Sequence, residues 1–272
     1  MPRLWFFLGG MLLVMASSAA FSGVAGSGRL AVEIFSGMLM AGLMAAVVAA
    51  SAAAVRRVRA QQELIEGVGE LLQLRRWAEA AGQLDRFLSA PARTAGLRVQ
   101  GLIYLGAVLA RYQRFGDALT VYEHVLAADA VDAGTAYGLR LGRAMAMLRE
   151  DHLVDADRAI SELKRAGPTG TAAAGLALVE LYRDVKTGHA DDAVTRFAKV
   201  LPIVRQHLGH RASDAWGLVA RAYDVLGRTA DAAAAYRTAT LLAPAVELSR
   251  RYPELLKLEG RYEPTYAPPE AA

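Results

Sequence analysis

Five histidines and no cysteine supply most of what catalysis or metal binding could use in this 272-residue sequence. Of His124, His152, His189, His207 and His210, only the last two are close, and their spacing would place both on one helical face. Two imidazoles without a third ligand fall short of a metal site. The lack of cysteine excludes thiolate metal sites, a cysteine nucleophile and disulfides. Glu150 and Asp151 beside His152 form an acid–imidazole cluster, and Asp155 with Asp157, or Asp191 with Asp192, could be read as acid–base pairs. Acidic residues, however, stand directly before an alanine at Glu79, Asp117, Asp155, Asp192 and Asp231. Negative charge at the start of a helix is favoured by the helix dipole, and a catalytic pair is not repeated five times. There is no glycine-rich phosphate loop ahead of a helix, no nucleophile elbow and no HExxH. These absences predict a protein that is not an enzyme, with no cofactor and no small-molecule substrate signalled by a motif.

The repetition itself points to the elements that must position these residues. Ala80, Ala118, Ala156, Ala193 and Ala232 follow the five acids at intervals of 38, 38, 37 and 39 residues. Four positions later stand Leu84, Tyr122, Ile160, Phe197 and Tyr236; three further on stand Phe87, Val125, Leu163, Val200 and Ala239. Twelve residues before each alanine lie Val68, Gly106, Ala144, Leu181 and Ala220. This is the pattern of paired antiparallel helices, in which small residues allow close approach and large ones fill the space towards the next pair. A pair alone leaves an apolar face uncovered, so such units come in arrays. The low aromatic content of 7% agrees with a helical rather than a strand-rich chain.

Ahead of the array, Leu4 to Gly28 carries no charge, and a second uncharged run extends from Ile34 to Val55. Each reaches the roughly 20 residues of a bilayer crossing. Spans at about 4–22 and 34–55, joined through the glycines of Ser22 to Arg29, would form a transmembrane helical hairpin. A competing reading makes the first segment a cleaved signal peptide with Ser18-Ala19-Ala20 as its small-residue site. Gly37, Ala41, Ala45, Ala49 and Ala53 line one face of the second run, a stripe through which helices can pack in lipid. Arg56, Arg57 and Arg59 follow that run immediately, which predicts a cytoplasmic array on a multi-pass inner-membrane anchor. The same arginines, with Arg3 and Arg29 and offset only by Glu33, account for the basic pI near 9.4, and residues 60–272 are formally neutral. A neutral array lacks the basic stripe that nucleic-acid binding needs.

The units resemble tetratricopeptide repeats. The resemblance is clearest in the last, where Trp216, Val219, Ala220, Tyr223, Gly227, Ala232, Tyr236, Ala239 and Pro244 stand in the family's order. Leu102, Leu105, Gly106, Ala118, Tyr122 and Val125 carry it in the second unit, and Pro168 closes the third. The period is about four residues longer than the family's 34. The resemblance implies an all-α fold, a right-handed α-solenoid of about five helix-turn-helix repeats over residues 61–258, including an end helix from Val246 broken at Pro253. The anchor would occupy residues 1–60, and 259–272 would be a disordered tail.

The resemblance also implies a concave groove lined by the first helix of each pair. By position it would contain Gln100, Ile103, Ala107 and Arg111, then Leu141, Met145 and Arg149, then Leu178, Tyr182 and Lys186, and finally Arg221. Leu141 and Leu178 could equally be core residues between repeats. The Lys, Asn and Arg set with which the family clamps chaperone tails is absent. An apolar groove edged by Arg111, Arg149, Lys186 and Arg221 suits an amphipathic protein segment with acidic flanks. The expected role is a membrane-anchored interaction scaffold or assembly factor. The alternative is an accessory subunit of one membrane complex, in envelope biogenesis or quality control, with the hairpin in the interface.

Overall fold

A computed structural model describes residues 27–91, 94–128 and 131–262 of the chain. It is all-helical, with no strand among the described residues. The helices are α1 (Ser27–Gln73), α2 (Trp77–Ser89), α3 (Ala95–Arg111), α4 (Phe115–Ala127), α5 (Ala133–Arg149), α6 (Leu153–Arg165), α7 (Gly170–Lys186), α8 (Ala190–His207), α9 (Ala212–Val225), α10 (Thr229–Leu242) and α11 (Ala245–Arg251). Short 3-10 turns at Gly209–Arg211 and Pro253–Lys257 complete the order. The chain divides into two units, residues 1–63 and 64–272.

In the first unit, α1 contains the one helix segment, among the described residues, long and apolar enough to cross a membrane. Phe35, Met38, Met44 and Val48 are all more than 60% exposed, and Gly37 has open space where a Cβ would be. Such a run of exposed apolar side chains is stable in water only when something covers it. The expected first span, Leu4 to Phe21, lies outside the described residues. Ser27, Gly28 and Arg29, expected to end a turn, instead open the helix.

The second unit shows repeat-like packing. From α2 to α11 each helix packs on its chain neighbour, and α5, α7 and α9 also pack on one another in succession. The five repeat alanines are completely buried, and the residues four and seven positions after them, and twelve before them, are buried as well. At Gly106 a Cβ would come within 2.9 Å of Tyr122 Cδ1, so only glycine lets α3 approach α4 this closely.

The turn inside each pair repeats too. Arg75, Gln113, Asp151, Gly188 and Gly227, each five residues before a repeat alanine, all have φ between 59° and 82°. In every case the following backbone N–H donates to a carbonyl five residues earlier: Arg76 to Leu71, Arg114 to Leu109, His152 to Met147, His189 to Asp184, and Arg228 to Tyr223. This is a Schellman closure, which satisfies carbonyls left open at a helix end. The recurrent acids then find partners, because Arg76, Arg114 and Arg228 pair with Glu79, Asp117 and Asp231 one turn later.

Past α10, Pro244 stops the helix and α11 begins. Leu248, Tyr252, Leu255 and Leu258 are spaced by four, three and three residues, and all are buried at 1% exposure or less. The break at Pro253 appears as a change from α to 3-10 geometry. Residues 259–262, expected to belong to a disordered tail, are ordered. Ser249 Oγ donates to Glu259, and Arg261 and Tyr262 both bond Asp224, so residues 259–262 are held by side chains. Residues 263–272 lie outside the described residues.

Candidate binding face

The residues expected to line a groove are placed on α3, α5, α7 and α9, and the segment 245–258 of the same chain lies against four of them. Arg111, at the end of α3, meets Glu247 with two parallel bonds of 3.0 and 2.8 Å. Arg149, at the end of α5, donates to the Arg251 carbonyl and stacks over the Phe115 ring at 4.6 Å. On α7, the Tyr182 hydroxyl donates to Glu254 at 3.1 Å and Lys186 sits 3.3 Å from the same carboxylate and 2.9 Å from Asp151. The Tyr182 and Tyr252 rings meet edge to face at 5.1 Å.

Not every expected residue joins this face. Arg221 pairs with Asp224 within α9, and Arg261 approaches Asp224 at 2.6 Å. Leu178 is buried in the core, and Leu141 packs against Gly175. Ile103 packs half-buried against the cluster formed by Ala118, Tyr122, Val125 and Leu139, and Gln100 is half-buried. Ala107 and Met145 line an open cavity with Arg111 and Arg149.

The segment is held by two kinds of force. Burying three leucines contributes about 5 to 9 kcal/mol in total at roughly 1.5 to 3 each. The polar contacts fix its register. Asp214, fully buried on α9, accepts from Arg211 Nε at 2.8 Å, Arg251 Nη1 at 2.6 Å and the Tyr252 hydroxyl at 3.3 Å. Two guanidiniums and a phenol satisfy a carboxylate that would otherwise be costly to bury.

These contacts shift proton affinities. The hydrogen bonds from Arg111 hold Glu247 below the usual carboxylate value, against the opposing effect of burial. Burial, followed by the Asp214 charge, pushes Tyr252 up to about 12, and burial alone takes Tyr122 to about 12. Tyr182 is raised as well, chiefly by burial and then by Glu254.

The sequence carried part of this arrangement, an apolar 4-3-3 spacing with Glu247 and Glu254 beside it and a face edged with Arg111 and Lys186, but not which helices the segment would meet. Residues 245–258 lie against part of that edge, at Arg111, Arg149 and Lys186, and not at Arg221.

The histidines are dispersed. All five are exposed. His207 ends α8 and His210 sits in the next 3-10 turn, so the two do not share one helical face as their spacing suggested. No group of three or more metal-ligating side chains occurs among the described residues. Glu150, Asp151 and His152 form the turn between α5 and α6, where Glu150 accepts from the Gly116 N–H at 3.2 Å. No protein-family model matches the chain, and no curated protein matches it.

Proposed function

We propose that this chain is a membrane-anchored, tetratricopeptide-like helical repeat protein that serves as a protein-interaction scaffold or assembly factor at the membrane. The observation that carries the reading is the five-fold register, repeated in buried side chains and in left-handed turn residues alike. Arrays of this kind present long faces for partner segments and have no chemistry of their own. In this reading the solenoid's inner face is partly filled by residues 245–258, so a partner engages the stretch left open beside Ala107, Met145, Arg111 and Arg149. Arg56, Arg57 and Arg59 after the apolar run favour a cytoplasmic array, with the run itself and the uncharged segment before it as the anchor.

A second reading, an accessory subunit of one membrane complex, is favoured by the exposed Gly37, Ala41, Ala45 and Ala49 stripe on α1. Crosslinking and pull-down from detergent, with the full chain and with residues 1–60 removed, separates the two. A partner retained by the truncated chain supports the scaffold; loss of one stoichiometric partner supports the subunit. Saturable binding of no protein by either form overturns both. A reporter fused at the C-terminus tests orientation, and a periplasmic signal would reverse it.

A further inference from the structure

The open cavity beside the C-terminal segment has a composition that the scaffold role does not require. It measures about 690 Å³ and is lined by Arg75, Arg111, Arg149, Arg211, Arg250 and Arg251. Two carboxylates offset these six guanidiniums: Glu247 pairs with Arg111, and buried Asp214 pairs with Arg211 and Arg251. Arg75, Arg149 and Arg250 form no salt bridge with a carboxylate among the described residues. The cavity therefore holds a formal surplus of four positive charges, although residues 60–272 are neutral as a whole.

The floor is apolar and aromatic. Trp77, Phe115, Met145 and Leu72 supply it, and two of the cations lie over its rings. Arg111 lies 5.5 Å from the Trp77 ring centre and Arg149 lies 4.6 Å from that of Phe115. The ring contacts hold both cations in place at the cavity wall, where Arg111 also bonds Glu247 and Arg149 also donates to the Arg251 carbonyl. The volume falls within the roughly 300 to 1,000 Å³ of small-ligand pockets.

The geometry points to a binding site for a multiply charged oxyanion of the phosphate or pyrophosphate type, carried on an apolar body that rests against Trp77 and Phe115. Phosphate oxygens match paired Arg N–H donors and concentrate negative charge in a small volume, as four surplus cations demand. A free phosphorylated compound and a phospholipid headgroup share this chemistry. Arg111, Arg149 and Arg251 also serve the docking of residues 245–258, whereas the exposed Arg75 and Arg250 take no carboxylate and are not among those contacts.

The test uses the full chain in neutral detergent, titrated calorimetrically at low salt with inorganic pyrophosphate and, separately, with micelles containing phosphatidic acid. Wild type is expected to bind at least one saturably. The variant Arg75→Gln with Arg250→Gln is expected to lose about ten-fold or more in affinity, since it removes two charge-assisted contacts to the anion. Its melting temperature without ligand stays at the wild-type value, and Arg140→Gln, outside the cavity, binds as wild type does. Pyrophosphate binding identifies a soluble phosphate as sufficient; binding of the phosphatidic acid micelles alone identifies the headgroup. No saturable binding of either probe, or equal binding by the double variant, overturns the site. So does binding of a polyglutamate peptide, but neither probe, through the same two arginines.

Discussion

At single positions, the fit between helices sets what the chain tolerates. Gly106→Ala places a methyl group against the Tyr122 ring, and overpacking of this kind costs about 1 to 3 kcal/mol. Gly138→Ala, exposed on α5 with nothing within 4 Å, should instead stabilise the protein by about 1 kcal/mol through helix propensity. Thermal melts of the two variants should therefore move in opposite directions from wild type. The buried phenols give a second handle. Tyr122 and Tyr252 should form phenolate near pH 12 rather than 10, a separate late phase in an ultraviolet titration. Their folded values are raised, so the stability they contribute is complete below pH 10 and is lost as pH climbs through about 12.

Among the elements, the paired helices were the legible part, because their signal is local. The positions of Ala80, Ala118, Ala156, Ala193 and Ala232 and of their large partners recur in the chain, and all are buried. The turns were harder to read. Only Gly188 and Gly227 advertise a left-handed residue, whereas Arg75, Gln113 and Asp151 adopt the same φ because the helices on either side require it. Least legible was the destination of α11. Its amphipathic spacing shows that it is covered, and nothing in that spacing says against which helices. Glu247 tests the docking. Its folded pKa is depressed by Arg111, so the pair stabilises the fold above the ordinary carboxylate value and is lost as pH falls through the folded one. Glu247→Gln should cost about 1 to 3 kcal/mol at neutral pH. The gap in melting temperature between variant and wild type should narrow as pH falls below the usual carboxylate range. A gap that persists there would show that packing, not charge, was disturbed.

Across residues 64–272, the contacts of the C-terminal segment change how the repeat-like packing behaves. In an array joined only between neighbours, stability is a sum of local terms, and the ends can open while the middle holds. Here residues 245–258 bond α3, α5, α7 and α9 at once, and Arg111 and Glu247 are 136 residues apart in the chain. Removing residues 245–262 should therefore do more than lower the melting temperature. The single cooperative transition expected of the intact chain should broaden or divide, with α3 and α4 melting first. Circular dichroism and amide hydrogen exchange would detect it; one sharp transition in the truncated chain would show that neighbour contacts suffice.

The same long-range closure has a temporal side. A ribosome adds about 5 to 20 residues per second, and domains begin to fold while still being made. Arg111, Arg149 and Asp214 are made before Glu247, Arg251 and Tyr252 exist to meet them. For several seconds of each synthesis, the nascent helices must stand with a bare apolar face and with Asp214 paired to Arg211 alone. That interval is when chaperones can most readily engage the chain, and a stall just before residue 245 would leave a species with every pair formed and its central seam open.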